Sequence, residues 1–279
     1  MSRRSWAPIV ARAAELVAAF EQRFGRPPTL RRTHYELVSD MSATEAGYSN
    51  DLYAYQHLSR LTAQGRREGS FPDFSESVRD LSRAEGFADA EALRGYVRSI
   101  ARLDRMAGQE TALCVCVEKD GSRGFLRDWF DAFGLLETSL HGYASQTLVT
   151  ELRRWQASDG RPLVVLYAGD HDATGEDIDR DFRHRLGNIE VRRVALLPEQ
   201  VRDYGLPRSP FEKNDSRAKS FLRRHGGLWQ TELDALDPEI LRGLFMEAFD
   251  ELWDMSAYQQ QLDGEAELLA EVLGEGGAR

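Results

Sequence analysis

Residues 161–179, RPLVVLYAGDHDATGEDID, decide the fold. The apolar run from Leu163 to Ala168 is the length of a strand and is bounded by Pro162 and Gly169, which reads as a strand buried on both faces. Past it come Asp170, His171 and Asp172, then a segment rich in Glu176, Asp177, Asp179 and Asp181. Negative charge suits the start of a helix, so those four acids read as the first turns of one, with Glu176 the nearest of them to a ligand role. The unit is therefore strand, acidic loop, helix. Asp170 and Asp172 are two apart, so an extended backbone sends both side chains to one side and His171 to the other. Gly169 and Gly175 bracket the pair and are expected to let the chain turn closely beneath a bound phosphate.

The same texture extends in both directions. Upstream, ALCVCVEKDG (112–121) is a second buried strand that ends at Glu118, and its Cys114 and Cys116 read as reduced core residues on one face. Helical patterns at FLRDWFDAFGLL (125–136) and LVTELRRWQASDG (148–160) lie between the two strands, and IEVRRVAL (189–196) supplies a third strand. Strands alternating with helices predict an α/β domain over 111–236, with a parallel sheet and flanking helices. Ligands in such sheets bind outside the carboxyl ends of strands, where Glu118, Asp170 and Asp172 fall, and three carboxylates suffice for a hard divalent cation that keeps some of its waters.

Ahead of this domain, 1–85 carries three helical patterns. The first, near 5–24, stops at Gly25 with Pro27 and Pro28 beyond. Thr29 is placed to cap TLRRTHYELVSD, a further helix covers 51–67, and GSFPDFSESVRD (69–80) reads as a turn and small wing. Together they predict a helix-turn-helix or winged-helix module, joined to the α/β domain by a linking helix within 86–110. An acidic helical segment, 237–279, closes the chain.

The formal net charge of −10 argues against nucleic acid only if it is evenly spread. It is not: residues 1–67 hold ten Arg against six acids, whereas 232–279 hold two Arg against thirteen. A basic N-terminal surface is compatible with phosphate contact, and the acidic end reads as a solvated helix face. No run of about 20 apolar residues exists for a membrane span, and MSRRSWAPIV lacks the character of a signal peptide, so a cytoplasmic protein is expected.

A strand ending in Glu118, then GDHDATGEDI (169–178) at the end of another, resembles the Toprim domain of topoisomerases, primases and related nucleases. The resemblance implies that Glu118, Asp170 and Asp172 hold Mg2+, with Mn2+ as a substitute, and that Glu118 also serves in acid/base chemistry. With a helix-turn-helix-like module in front, the order resembles the topoisomerase VI A subunit and the related meiotic double-strand-break protein, in a minimal, stand-alone form. That family carries an Arg, two residues, then two aromatics; here Arg31, Arg32, Thr33, His34 and Tyr35 match, with His34 in place of the first aromatic. Tyr35 would then be the nucleophile and Arg31 the group that stabilises phosphorane charge. A helical Tyr commonly serves packing instead, and both readings stay open.

The resemblance implies an enzyme that binds and cleaves double-stranded DNA as a homodimer, each Tyr acting with a metal site across the dimer. Its ATPase would be a separate subunit, since no G-x-x-x-x-G-K-[ST] loop is present. Two alternatives stand beside this: hydrolysis by activated water at the same acids, and a non-catalytic DNA-binding assembly protein. His141, Ser145 and Gln146 in SLHGYASQTL, Lys119 and Lys213, and Glu232 with Asp234 are further groups whose phosphate, backbone or ligand roles compete with turn, surface and cap roles.

Overall fold

The computed structural model describes residues 6–75, 86–210, 218–227 and 229–274. The N-terminal part is helical: α1 Trp6–Phe24, α2 Leu30–Ser39, α3 Met41–Glu45 and α4 Leu52–Glu68. Ile9, Ala13, Val17 and Phe20 form the buried stripe of α1 at helical spacing. Side-chain caps start the next three: Thr29 Oγ1 accepts from Arg32 N, Asp40 Oδ1 from Ala43 N and Asp51 Oδ1 from Ala54 N. Gly69 ends α4 in the left-handed region, at φ 71°. Ile9, Leu37, Tyr48, Leu58, Phe71 and Phe74 belong to a core of this module alone. No strand occurs among its described residues, and the expected wing falls partly on 76–80, outside them. The short α3, absent from the sequence reading, turns the chain between α2 and α4.

The linking helix α5, Ala90–Ile100, leads to the α/β part. There follow β1 Ala112–Val117, α6 Arg123–Phe130, β2 Leu136–Ser139, α7 Gln146–Asp159, β3 Leu163–Ala168, α8 Ala173–Leu186, β4 Glu190–Ala195 and α9 Pro198–Asp203. A two-residue ladder pairs β5 Ser209–Pro210 with β6 Trp229–Gln230 around α10 Ala218–His225, before α11 Pro238–Asp250 and α12 Met255–Val272. The main sheet is all parallel, in the order β2-β1-β3-β4. Every residue of β1 and β3 is buried, which is why both read as unbroken apolar runs; Cys114 and Cys116 are free thiols within that core.

The segment from 237 is not a solvated appendage throughout. Leu241, Phe245 and Phe249 of α11 are buried in the sheet core, and Phe130 of α6 meets both rings at 6.1 and 5.6 Å. Acidic exposed positions masked an apolar stripe at i, i+4, i+8. In α12 Glu265 is buried and paired with Arg105 at 2.5 Å.

The two cores meet through mixed contacts. Phe20 and Phe24 of α1 each approach Phe125 of α6 edge-on at 6.1 Å. Arg26 donates to Gly124 O at 2.7 Å, and Arg32 reaches Leu236 O. Between them lies a cleft of about 350 Å³ lined by Arg32, Glu36, Asp234 and Asp237 among others. Burial, and then the neighbouring Asp237, push the Glu36 carboxyl up from 4.5 to about 7. An acid whose folded pKa is raised loses stability as pH rises from its unfolded value to its folded one. Glu36→Gln should therefore match wild type in melting temperature near pH 4, gain on it progressively to pH 7 and hold that gain above. A constant difference across this range in paired thermal melts would sink the assignment.

Candidate functional site

β1 lies centrally, with β2 on one side and β3 on the other, so the chain reverses its direction of travel across the sheet between β1 and β3. Crevices of open α/β sheets form at such a switch point, beyond the carboxyl ends. Register places Val117 opposite Ala168. Glu118 and the Gly169–Asp170 segment therefore leave the sheet side by side.

Glu118 is buried and its Oε2 accepts from Asp170 N at 3.0 Å, with the Tyr167 hydroxyl at 3.5 Å. Asp170 is 4% exposed; its Oδ1 accepts from Leu233 N at 2.8 Å and its Oδ2 faces Lys119 Nζ at 2.5 Å. Asp172 turns to cap α8, accepting from Gly175 N at 2.6 Å. Burial raises both Glu118 and Asp170, and each lies near another carboxylate: Asp172 for Glu118, Glu118 for Asp170, which reaches about 7.

The glycines of this loop have close neighbours. A Cβ on Gly169 would lie 2.3 Å from the Tyr167 hydroxyl and 2.8 Å from Glu118 Oε2; one on Gly175 would lie 2.3 Å from Asp170 O. Neither has positive φ. They make room for the Glu118 carboxylate and for the Asp170 backbone. Arg193 of β4, a residue not singled out from sequence, closes this knot by donating to Asp170 O at 2.6 Å and Gly169 O at 3.2 Å. Its only sequence signal is a charged pair inside a strand, which must find carbonyl or carboxylate partners if buried.

Lys119 Nζ bridges Asp170 and, at 3.1 Å, Glu232 Oε2. Glu232 in turn pairs with Arg31 and lies close enough to the Tyr35 hydroxyl for its charge to act on it. The arrangement thus gathers Arg31 and Tyr35 of α2 with Glu118, Asp170, Lys119 and Glu232. Burial opposes the charge on Glu232, yet Lys119 and Arg31 hold it below its usual range. Tyr35 is 7% exposed, and burial first, then the Glu232 charge, raise its hydroxyl well above the usual value. His34 is bound inside its own module, Nδ1 to Tyr48 Oη at 2.7 Å and Nε2 to Asn50 Oδ1 at 3.2 Å. Asp234 accepts from Ser122 Oγ at 3.1 Å.

Tyr35 lies at the acid-bearing end of its own chain, where α2 packs directly on the Leu233–Ala235 turn. Asp172 caps the first turn of α8, while Asp170 turns to Lys119 and to Leu233 N. Among the described residues no three His, Cys, Asp or Glu side chains are set to hold a metal ion as they stand. In donor chemistry the set nevertheless fits a hard cation: all-oxygen, and with Glu118 and Asp170 raised first by burial and then by neighbouring negative charge, which positive charge relieves. Lys119 supplies that charge in this arrangement.

No protein-family profile matches the chain, and no curated protein matches it in sequence. Among the described residues no helix is long and apolar enough to cross a membrane.

Gly175→Ala should lower unfolding free energy by about 2 kcal/mol or more, the cost of steric strain at a tightly determined position. Urea titration of the variant reads this directly; an unchanged midpoint would show that the backbone at Asp170 yields freely.

Proposed function

We propose that this protein is a Mg2+-dependent DNA-cleaving enzyme of the Toprim type, with the module order of a topoisomerase VI A subunit and Tyr35 as nucleophile. One observation carries the reading: the Tyr35 hydroxyl and the Arg31 guanidinium meet the acid-bearing strand ends through Glu232 and Lys119. These residues come from α2, the β1 end and the turn before Leu233, and they gather at the carboxyl edge of the sheet, where substrates of such folds bind.

Glu118, Asp170 and Asp172 would hold the cation, which when bound supplies charge stabilisation to a phosphate oxygen. The protein's own groups supply the rest. Glu232, kept ionised by Lys119 and Arg31, accepts the Tyr35 proton as the phenolic oxygen attacks phosphorus. A tyrosyl–phosphate bond forms as the P–O bond to a deoxyribose oxygen breaks, and that oxygen takes a proton from water. Arg31, beside Tyr35, neutralises charge gathering on the phosphorane. Since Tyr35 is buried against Glu232, the scissile phosphate enters only as α2 lifts from this contact. Each chain carries one such tyrosine, so a double-strand break takes two copies. The same burial of Tyr35 favours one rival, in which water attacks at the acids and Tyr35 merely seats α2.

Supercoiled plasmid incubated with Mg2+ or Mn2+ and stopped with detergent, before and after protease digestion, separates these. Tyrosine chemistry gives breaks bearing covalent protein, abolished in Tyr35→Phe and in Asp170→Ala/Asp172→Ala, with Arg31→Ala slower by roughly 10²–10³-fold. Free-ended breaks that persist in Tyr35→Phe establish hydrolysis, and tight DNA binding without metal-dependent breaks establishes the assembly protein.

A further inference from the structure

On the other side of the Asp170–Asp172 segment is a second feature that strand cleavage does not use. Backbone bonds of His171 to Thr231, 2.9 and 3.0 Å, pin the segment, and the imidazole points away from the acids into a group formed by Phe221, His225 and Trp229 at ring distances of 4.9–5.3 Å. It lines an open cavity of about 450 Å³. His171 is 1% exposed, and its Nε2 is buried without a hydrogen-bond partner among the described residues. Native interiors rarely leave such an atom unanswered, and His171 lines a cavity large enough for a ligand.

The cavity's charges say which ligand. Its three acids are already met: Glu176 by Arg224 at 2.5 Å and by His225, Asp177 by Arg180 at 2.7 Å, and Asp179 by Arg183 at 2.7 Å. With Arg193 the lining holds four guanidiniums against three carboxylates, so positive charge is in surplus before either histidine is counted. A cation finds no unclaimed carboxylate there. A compact anion with several acceptor oxygens suits both the surplus and the unanswered imidazole nitrogen. Arg224 and Arg180 have side chains 56% and 69% exposed and are free to swing onto such a ligand while keeping their acids.

We infer that this cavity is a phosphate-binding subsite, in which His171 Nε2, His225 and Arg224 receive a phosphate carried by a nucleotide. On the proposed function that phosphate belongs to the DNA strand, beside the one being cut; a free nucleotide offers the same chemistry. Adjacent residues of one segment then serve two subsites, Asp170 beside Glu118 and the His171 imidazole among Phe221, His225 and Trp229.

The test uses full-length Asp170→Asn/Asp172→Asn protein in EDTA, so that neither metal nor turnover intervenes. Ring signals of labelled histidines are assigned with His171→Gln and His225→Gln and followed by NMR against inorganic phosphate, deoxyadenosine monophosphate and a short single-stranded oligonucleotide. Saturable shifts of both rings are expected, with affinity weakened about tenfold in Arg224→Ala, the loss of one charged hydrogen bond. Competition by the oligonucleotide assigns the phosphate to nucleic acid; response to the monophosphate alone assigns it to a free nucleotide. Rings unmoved by all three at millimolar concentration overturn the subsite, whatever the plasmid assay shows. Rings that respond in a protein giving no plasmid breaks keep the subsite while the cleavage reading fails.

Discussion

Burying carboxylates beside one another is the constraint that organises this molecule. Glu118 and Asp170 leave adjacent strands at the same level, out of reach of most solvent, and Glu118 raises the cost of charge on Asp170. Such groups persist only where the surroundings answer them. Here the answer comes from backbone N–H groups of Asp170 and Leu233, from the Lys119 ammonium, and from glycines that yield space where any side chain would collide. The loop is shaped by these demands more than by any need to turn sharply.

The sheet was largely legible because burial on both faces removes the polar alternation that blurs other strands. LCVCV and LVVLY admit few other readings, and β4 follows from its place after α8. What the linear pattern conceals is instructive. β2 is four residues long, LETS, half-buried at the sheet edge, and carries no apolar run. α11 hides its core stripe among acids, so a segment rich in negative charge covers the sheet instead of standing in solvent. Thr29 and Gly69 mark helix ends as their chemistry dictates, since caps are local.

Glu118 and Asp170 could be placed at strand ends from sequence, but not what holds them there. Lys119 and Glu232 are 113 residues apart, and either alone looks like ordinary surface charge. Their significance exists only after folding brings the turn before Leu233 against the β1 end. Arg193 is the same case, a charge inside a strand whose carbonyl partners are set by the loop across from it. Asp172 shows the converse: spacing alone placed it with Asp170, while the start of a helix has a prior claim on its oxygen.

Glu232 is one anion serving two cations, Arg31 and Lys119, from two modules. Lys119 divides its charge between that anion and Asp170, so the seating of α2 and the electrostatic state of the strand ends are a single equilibrium. Anything that draws Lys119 toward Asp170 loosens its hold on Glu232; anything that displaces Lys119 from Asp170 frees it to strengthen that hold. Such coupling is reciprocal by thermodynamic necessity. The N-terminal helices are thereby informed of events at the sheet edge through one shared ammonium group, without any change of fold.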